Sequence, residues 1–220
     1  MDGAKYMNCP SCARQLESAE LACPHCGGPT GAELDCFAAL GLAPALVIDG
    51  SALERSYHDL TRRMHPDRFV RRDPSIRDAS LRATALLTRS YRTLREPVAR
   101  GTYWLMRRGV KIEDNNRGVP VDLADLVFEV QDQLAELRGA ERGSTAWCAL
   151  ADSTALRRHE VAAQEHAAAA DLEANFRRWD ANDGDPAALT EELKTVLARI
   201  AYLRTLGRDV DRELESVEAA

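Results

Sequence analysis

Apolar residues recur along most of this chain at the three-to-four spacing of a helix, and no stretch outside the cysteine-rich beginning alternates at the strand period. Asp35 to Leu42 reads as a short apolar helix stopped by Gly41 and then Pro44. Ser51 is placed to cap a longer helix in which Leu53, Tyr57, Leu60 and Met64 share one face. Pro66 ends that helix, because a proline drives the residue before it out of the α region. A second long helix is predicted over 75–95, with Ile76, Ala83, Leu87 and Leu94 in one stripe and Ala79 and Tyr91 beside it. A connector of roughly ten residues folds these two into an antiparallel hairpin. Pro97 then opens a shorter helix carrying Tyr103, Trp104 and Leu105, which ends at Gly109.

The stretch 111–121, polar and holding Asn115, Asn116 and Gly118, reads as a linker. Beyond it the pattern is wholly helical. Leu123, Leu126, Val127, Val130, Leu134 and Leu137 make one stripe, and an alanine-rich helix covers 145–179. After the turn Asn182-Asp183-Gly184, Asp185 caps a last helix with Pro186 in its first turn. Its stripe is Leu189, Leu193, Val196, Leu197, Ile200, Leu203, Val210, Leu214 and Val217. Three such helices with short connections make a small bundle. The expected fold is therefore all-α. Its parts are a cysteine-rich knuckle at 1–33, a helical-hairpin domain at 34–110, the linker, and a bundle at 122–220.

Composition narrows the class. The chain of 220 residues is 45% hydrophobic but only 5% aromatic, and no apolar run reaches the length that spans a bilayer. The beginning MDGAKYMNCPSC has no apolar core of an export signal, so the expected compartment is the cytoplasm, with no membrane partner. A net charge of −6 conceals an asymmetry: residues 34–118 carry +6 and residues 119–220 carry −10. A basic middle and an acidic end imply separate surfaces for separate partners. The acidic third would repel phosphates, which argues against nucleic acid. The first 33 residues carry −2 and Tyr6 as their one aromatic, which argues against a nucleic-acid-binding knuckle.

Of six cysteines, four form two C-x-x-C pairs, Cys9/Cys12 and Cys23/Cys26, separated by ten residues. In a reducing compartment this spacing reads as a metal site before disulfides. Two tight turns facing each other present four sulfurs tetrahedrally, the structural Zn2+ geometry, and leave no open position for a catalytic water. Iron takes the same four ligands. His25, inside the second knuckle, is a spare nitrogen ligand. Cys36 and Cys148 lie among apolar neighbours and read as packed thiols. His159 and His166 read as surface residues without a role.

His65-Pro66-Asp67 sits at the corner between the two long helices. Taken alone, a His–Asp pair in a loop is either a candidate acid and base or merely the place where a proline ends a helix. No nucleophile or phosphate-cradling loop accompanies it. A hydrolase is therefore disfavoured. Around it lie Arg55, His58, Arg62 and Arg63 on the preceding helix and Arg68, Arg71 and Arg72 after it. A stiff, exposed His-Pro-Asp beside a basic helix face resembles a J domain. Three segments match that signature: Tyr57 to Phe69, Asp35 to Leu42, and Ser90 to Pro97. Val98 to Leu105 followed by an acidic three-helix bundle resembles the HscB family, co-chaperones of iron–sulfur cluster biogenesis. Some of its members also carry an N-terminal pair of C-x-x-C motifs.

The resemblance implies a protein that is not an enzyme. It implies that His65, Pro66 and Asp67, with Arg62, Arg63 and Arg68, engage a DnaK/HscA-type chaperone ATPase and stimulate its hydrolysis of ATP. It also implies that the bundle holds an IscU-type iron–sulfur scaffold through Val127, Phe128, Glu129, Asp132, Glu136 and Tyr202. Gln131 and Leu134 depart from the apolar residue and arginine usual in that helix. Three alternatives stay open: a different client, self-association of the acidic bundle, or Phe128 and Tyr202 as mere bundle core.

Overall fold

A computed structural model describes residues 7–110 and 119–218. Most of the expected linker, and Tyr6, lie outside the described residues. By its internal contacts the chain divides into two compact units, Met1–Tyr103 and Trp104–Ala220.

The first unit begins with strands β1 (Met7–Asn8) and β2 (Gln15–Leu16), paired antiparallel with Met7 opposite Leu16. Leu16, Cys9 and Cys23 pack together as a miniature core, with Cys12 against it. Helix α1 (Cys36–Ala39) starts at Asp35, whose carboxylate accepts from the N–H groups of Phe37 (2.9 Å) and Ala38 (2.8 Å). It closes with a left-handed Gly41 at φ 66°; Leu42 N–H donates to Phe37 C=O and Gly41 N–H to Ala38 C=O.

Helix α2 (Gly50–Met64) is capped by Asp49, two residues earlier than Ser51. The Asp49 carboxylate accepts from the N–H groups of Ser51 and Ala52, so Ser51 is already inside the first turn. Leu53 and Met64 are buried, and Tyr57 and Leu60 half-buried. A single 3-10 turn (Pro66–Phe69) follows, then helix α3 (Pro74–Arg95), whose Ile76, Ala79, Ala83, Leu87 and Leu94 are buried. Tyr57 and Tyr91 stack across the hairpin, ring centroids 4.3 Å apart. Helix α4 (Pro97–Arg107) opens after Glu96, whose carboxylate accepts from Ala99 N–H, and ends before a left-handed Gly109. Tyr103 receives Cys36 N–H on its hydroxyl at 2.9 Å, fixing the start of α1.

The knuckle does not hang free of the hairpin. Gly31, at φ 73°, passes so close to α3 that a Cβ there would meet the Arg82 guanidinium at 2.9 Å and Ala79 at 3.4 Å. Arg82 is itself paired with Asp78. Thr30, buried beside this glycine, donates its hydroxyl to the Glu20 carbonyl and accepts from Ala32 N–H.

The second unit is a three-helix bundle of α5 (Ala124–Gly139), α6 (Thr145–Asp180) and α7 (Pro186–Glu218), α5 being entered by a 3-10 turn at Val121–Leu123. Ser144 caps α6, and Asp185 accepts from Ala188 N–H at the start of α7. Leu123 of the entering turn and Val127, Val130, Leu134 and Leu137 of α5 are buried with Val161, Ala168, Leu172 and Phe176 of α6 and the Leu189–Val210 stripe of α7. Leu206, outside the expected stripe, is buried there as well; Val196 and Leu214 are half-buried. Cys148 is exposed, a correction to its reading as a packed thiol: it falls off the stripe that runs through Thr154, Val161 and Ala168. Cys36 is buried as expected.

At one end of the bundle the Arg108 guanidinium lies between two indoles, 3.9 Å from the Trp104 ring centre and 4.7 Å from that of Trp179. Desolvation there, and Arg107 alongside, draw its pKa below the usual arginine value. Interhelical ion pairs line the surface: Arg158 with Asp211, Arg138 with Glu213, Arg157 with Glu129 and Arg204 with Glu165.

Truncating Ser80 tests how the hairpin is held. Its buried hydroxyl donates to the Met64 carbonyl at 2.6 Å, and Thr84 reaches the same oxygen at only 3.3 Å. Ser80→Ala is expected to lower stability by about 1–2 kcal/mol, read from urea unfolding; an unchanged midpoint would show that Thr84 alone suffices.

Candidate functional site

Each C-x-x-C pair is folded by the same local device. Ala13 N–H donates to Cys9 C=O at 2.9 Å, and Gly27 N–H donates to Cys23 C=O at 2.8 Å. The residue following each second cysteine is left-handed, Ala13 at φ 58° and Gly27 at φ 70°. Ser11 N–H points at Cys9 Sγ (3.3 Å). Gly28 lies against Ser11, where a Cβ would meet the Ser11 hydroxyl at 2.6 Å. These turns bring Cys9, Cys12, Cys23 and Cys26 together with all four sulfurs within 4.8 Å of one another.

The spacing fits a tetrathiolate metal. Cys9 and Cys26 sulfurs are 3.6 Å apart, and those of Cys12 and Cys23 3.8 Å. Sulfurs at the vertices of a tetrahedron with Zn–S bonds of about 2.3 Å stand about 3.8 Å apart. His25 is exposed and does not join this cluster. Desolvation raises the thiol pKa of Cys26 to about 12 and raises that of Cys9. At Cys23 desolvation is outweighed by the backbone N–H donors of Cys26 and His25, which draw the thiol down to about 7. Four thiolates therefore persist together only around a cation.

The second constellation is the corner after α2. Pro66 cannot donate to the helix, and the chain turns at His65. Arg68 N–H bonds the His65 carbonyl, so the Met64 carbonyl goes instead to Ser80 of α3. His65 Nδ1 accepts from Asp67 N–H at 3.3 Å and stands 3.5 Å from the Asp67 carboxylate. The neutral ring therefore carries its proton on Nε2. The His65 side chain is 49% exposed and that of Asp67 85%, so the pair sits on the surface. Arg55, Arg62, Arg63, Arg68, Arg71 and Arg72 are all exposed around it.

The third is the outer face of α5. Phe128 is 72% exposed, which removes it from the bundle core. Asp132 and Glu136 are exposed at helical spacing from it, together with Gln131. Glu129 is exposed and paired with Arg157 at 2.9 Å. Val127, expected on the contact surface, is buried beneath that face because it belongs to the stripe of Val130 and Leu134. Tyr202 on α7 is half-buried; Arg199, one turn earlier, reaches Asp122 just before α5 at 3.3 Å. Leu134, one of the two departures, is a core residue. His159 and His166 are exposed on α6, as expected of surface residues. Sequence reading missed Ser80. Its signal was a serine inside an otherwise alanine and leucine stripe.

An antiparallel helical hairpin with an exposed His-Pro-Asp corner and basic flanks defines a J-domain protein. No family model matches the chain. A co-chaperone protein HscB homolog of Vibrio vulnificus strain YJ016 is 30% identical over 145 residues, which are 65% of this chain and 81% of that protein. Another, from Cupriavidus taiwanensis, is 37% identical over 82 residues, 37% of this chain and 47% of its own. The structure of the chaperone HscB from Vibrio cholerae superposes with a TM-score of 0.59 at 19% identity, covering 84% of this chain and 99% of the other. The human co-chaperone HscB does so with the same score and identity, over 93% and 96%. The chain thus belongs to the HscB co-chaperone family. Among the described residues no helix is long and apolar enough to cross a membrane.

Ala13 offers a test of the metal site. A left-handed alanine is strained by roughly 1–2 kcal/mol, part of which a glycine's freer unfolded chain returns. Ala13→Gly is expected to tighten metal binding by up to about fivefold, measured by competition with a chromophoric chelator. Weaker binding would contradict the assignment of strain to that turn.

Proposed function

We propose that this protein is a non-enzymatic co-chaperone that stimulates ATP hydrolysis by a DnaK/HscA-type ATPase and delivers to it an IscU-type iron–sulfur scaffold. The observation that carries the reading is the surface corner His65-Pro66-Asp67, held by Ser80 and flanked by exposed Arg62, Arg63 and Arg68. Exposed guanidiniums on a rigid helix steer an acidic partner, and the stiff corner presents the same contacts at every encounter. The chemistry belongs to the partner. This chain acts by binding its hydrolysis-competent state more tightly than its resting state, and the acceleration is limited by that difference.

In this reading the hairpin, residues 34–110, works as the J domain, and residues 122–220 hold the client. Phe128 is the apolar anchor, Glu129, Asp132 and Glu136 its acidic surround, and Tyr202 a flanking contact, with Val127 supporting the face from beneath. A large aromatic kept in solvent on an otherwise polar helix face costs solubility without helping the core, which favours a partner over mere bundle packing. The knuckle, residues 1–33, would hold structural Zn2+ through Cys9, Cys12, Cys23 and Cys26; bound there, the ion supplies cross-linking of the two turns. The reading places the protein in the cytoplasm, without a nucleic-acid or membrane partner.

Two variants test the two halves. His65→Gln is expected to leave the unfolding midpoint unchanged and to abolish stimulation in single-turnover ATP hydrolysis; normal stimulation would refute the corner's role. Phe128→Ala is expected to weaken binding of purified scaffold protein by roughly tenfold or more in calorimetric titration, the usual scale for a buried aromatic anchor. Equal affinity would point to another client or to self-association.

A further inference from the structure

The knuckle stands beside the helix that the proposed function gives to the chaperone ATPase. A recess of about 470 Å³ opens between the two, walled on one side by Glu20, Leu21 and Pro24 and on the other by Ala38 of α1 and Leu60 and Arg63 of α2. One contact sets the knuckle against the hairpin, and two more brace the knuckle internally. Gly31 is wedged against Ala79 and Arg82 of α3, the Thr30 hydroxyl is bonded back to the Glu20 carbonyl, and Ala22 is bridged to Pro29. Metal-folded turns on one side and a helix on the other make the recess a fixed shape.

Its lining suits one kind of occupant. Leu21, Pro24, Ala38 and Leu60 supply apolar lining in about equal measure with polar surface, and Arg63, on the basic face of α2, is exposed at the edge. Glu20 on the opposite rim already accepts the Ser18 hydroxyl at 2.9 Å. A partner segment with an apolar residue next to a carboxylate would fill the floor and meet Arg63. The same sign of charge is demanded by the rest of the α2 face, so the recess continues that surface.

We propose that the metal knuckle is a second wall of the docking face for the chaperone ATPase, and that the recess takes an acidic and apolar segment of that ATPase. The inference rests on the reading of α2 given above. It assigns the tetracysteine site a task beyond holding its own turns together: the metal keeps one side of a binding surface in place. The volume accommodates a few side chains, the scale of an anchoring contact.

The test uses the full chain. Ala38→Trp fills the recess from α1 and Ala19→Trp fills it from the knuckle rim; both alanines are exposed, so neither disturbs the core. Each variant is compared with wild type in single-turnover ATP hydrolysis over a range of co-chaperone concentrations, after metal content and the unfolding midpoint are checked. The half-saturating concentration is expected to rise about tenfold, the loss of one anchoring contact, with maximal stimulation retained. Chelator-stripped wild type, its helical circular dichroism intact, is expected to rise by a similar factor. The inference is overturned if the folded, metal-loaded variants saturate where wild type does; the α2 reading then stands and the knuckle is only a cap. Absence of stimulation by wild type would instead overturn the α2 reading, and this inference with it.

Discussion

Helix α2 ends on a carbonyl that its own helix cannot satisfy. Pro66 breaks the helix, Arg68 N–H turns to the His65 carbonyl, and Met64 is left with an unpaired acceptor in a buried place. Ser80 of α3 resolves this at 2.6 Å; the single hydroxyl proton of Thr84 lies nearer the Ser80 carbonyl, at 3.0 Å, than the Met64 carbonyl, at 3.3 Å. One hydrogen bond thus joins the end of one helix to the middle of the next and fixes the backbone immediately before His65. The corner is exposed, and its root is tied by that hydrogen bond. A contact surface that has to be recognised repeatedly needs this combination, because a loop ordered only on binding gives up affinity to do so.

The same economy appears in the knuckle. Cys9, Leu16 and Cys23, with Cys12 against them, build a very small core between two left-handed turns, and the chain leaving it passes close against α3 at Gly31. The bundle needs no such device. Its long helices bury continuous stripes and leave their charges for interhelical pairs, and Phe128 of α5 and Leu156 of α6 are large apolar side chains left outside that core. The middle of the chain is net basic and its end net acidic, the charge separation on which the proposed two-partner reading draws.

Much of this was legible beforehand because helices announce themselves by period and punctuation. Pro66, Pro97, Pro186, Gly41 and Gly109 mark real boundaries, and most of the α5 and α7 stripes is buried, with Leu126, Val196 and Leu214 half-buried. The four metal-site cysteines follow from spacing alone. What was missed depends on tertiary neighbours. Asp49 and Ser51 are both good caps, and only the backbone dihedrals decide between them. Cys148 lies among apolar letters but on the wrong side of its helix. Phe128 also lies off its own stripe, and that offset was the readable sign of its exposure. The contact of the neighbouring Trp104 and Arg108 with Trp179 joins segments far apart in sequence, and no local pattern encodes it.

In the proposed function, one chain couples two partners through two separate surfaces. The most direct measurement is the concentration of this protein that half-saturates single-turnover ATP hydrolysis by the chaperone ATPase, with and without the iron–sulfur scaffold protein. The account predicts stimulation without the scaffold, and with it a higher plateau reached at a lower concentration, because the client adds a second attachment to the same ATPase. Identical curves would contradict the coupling and leave a J-domain protein whose bundle serves some other client.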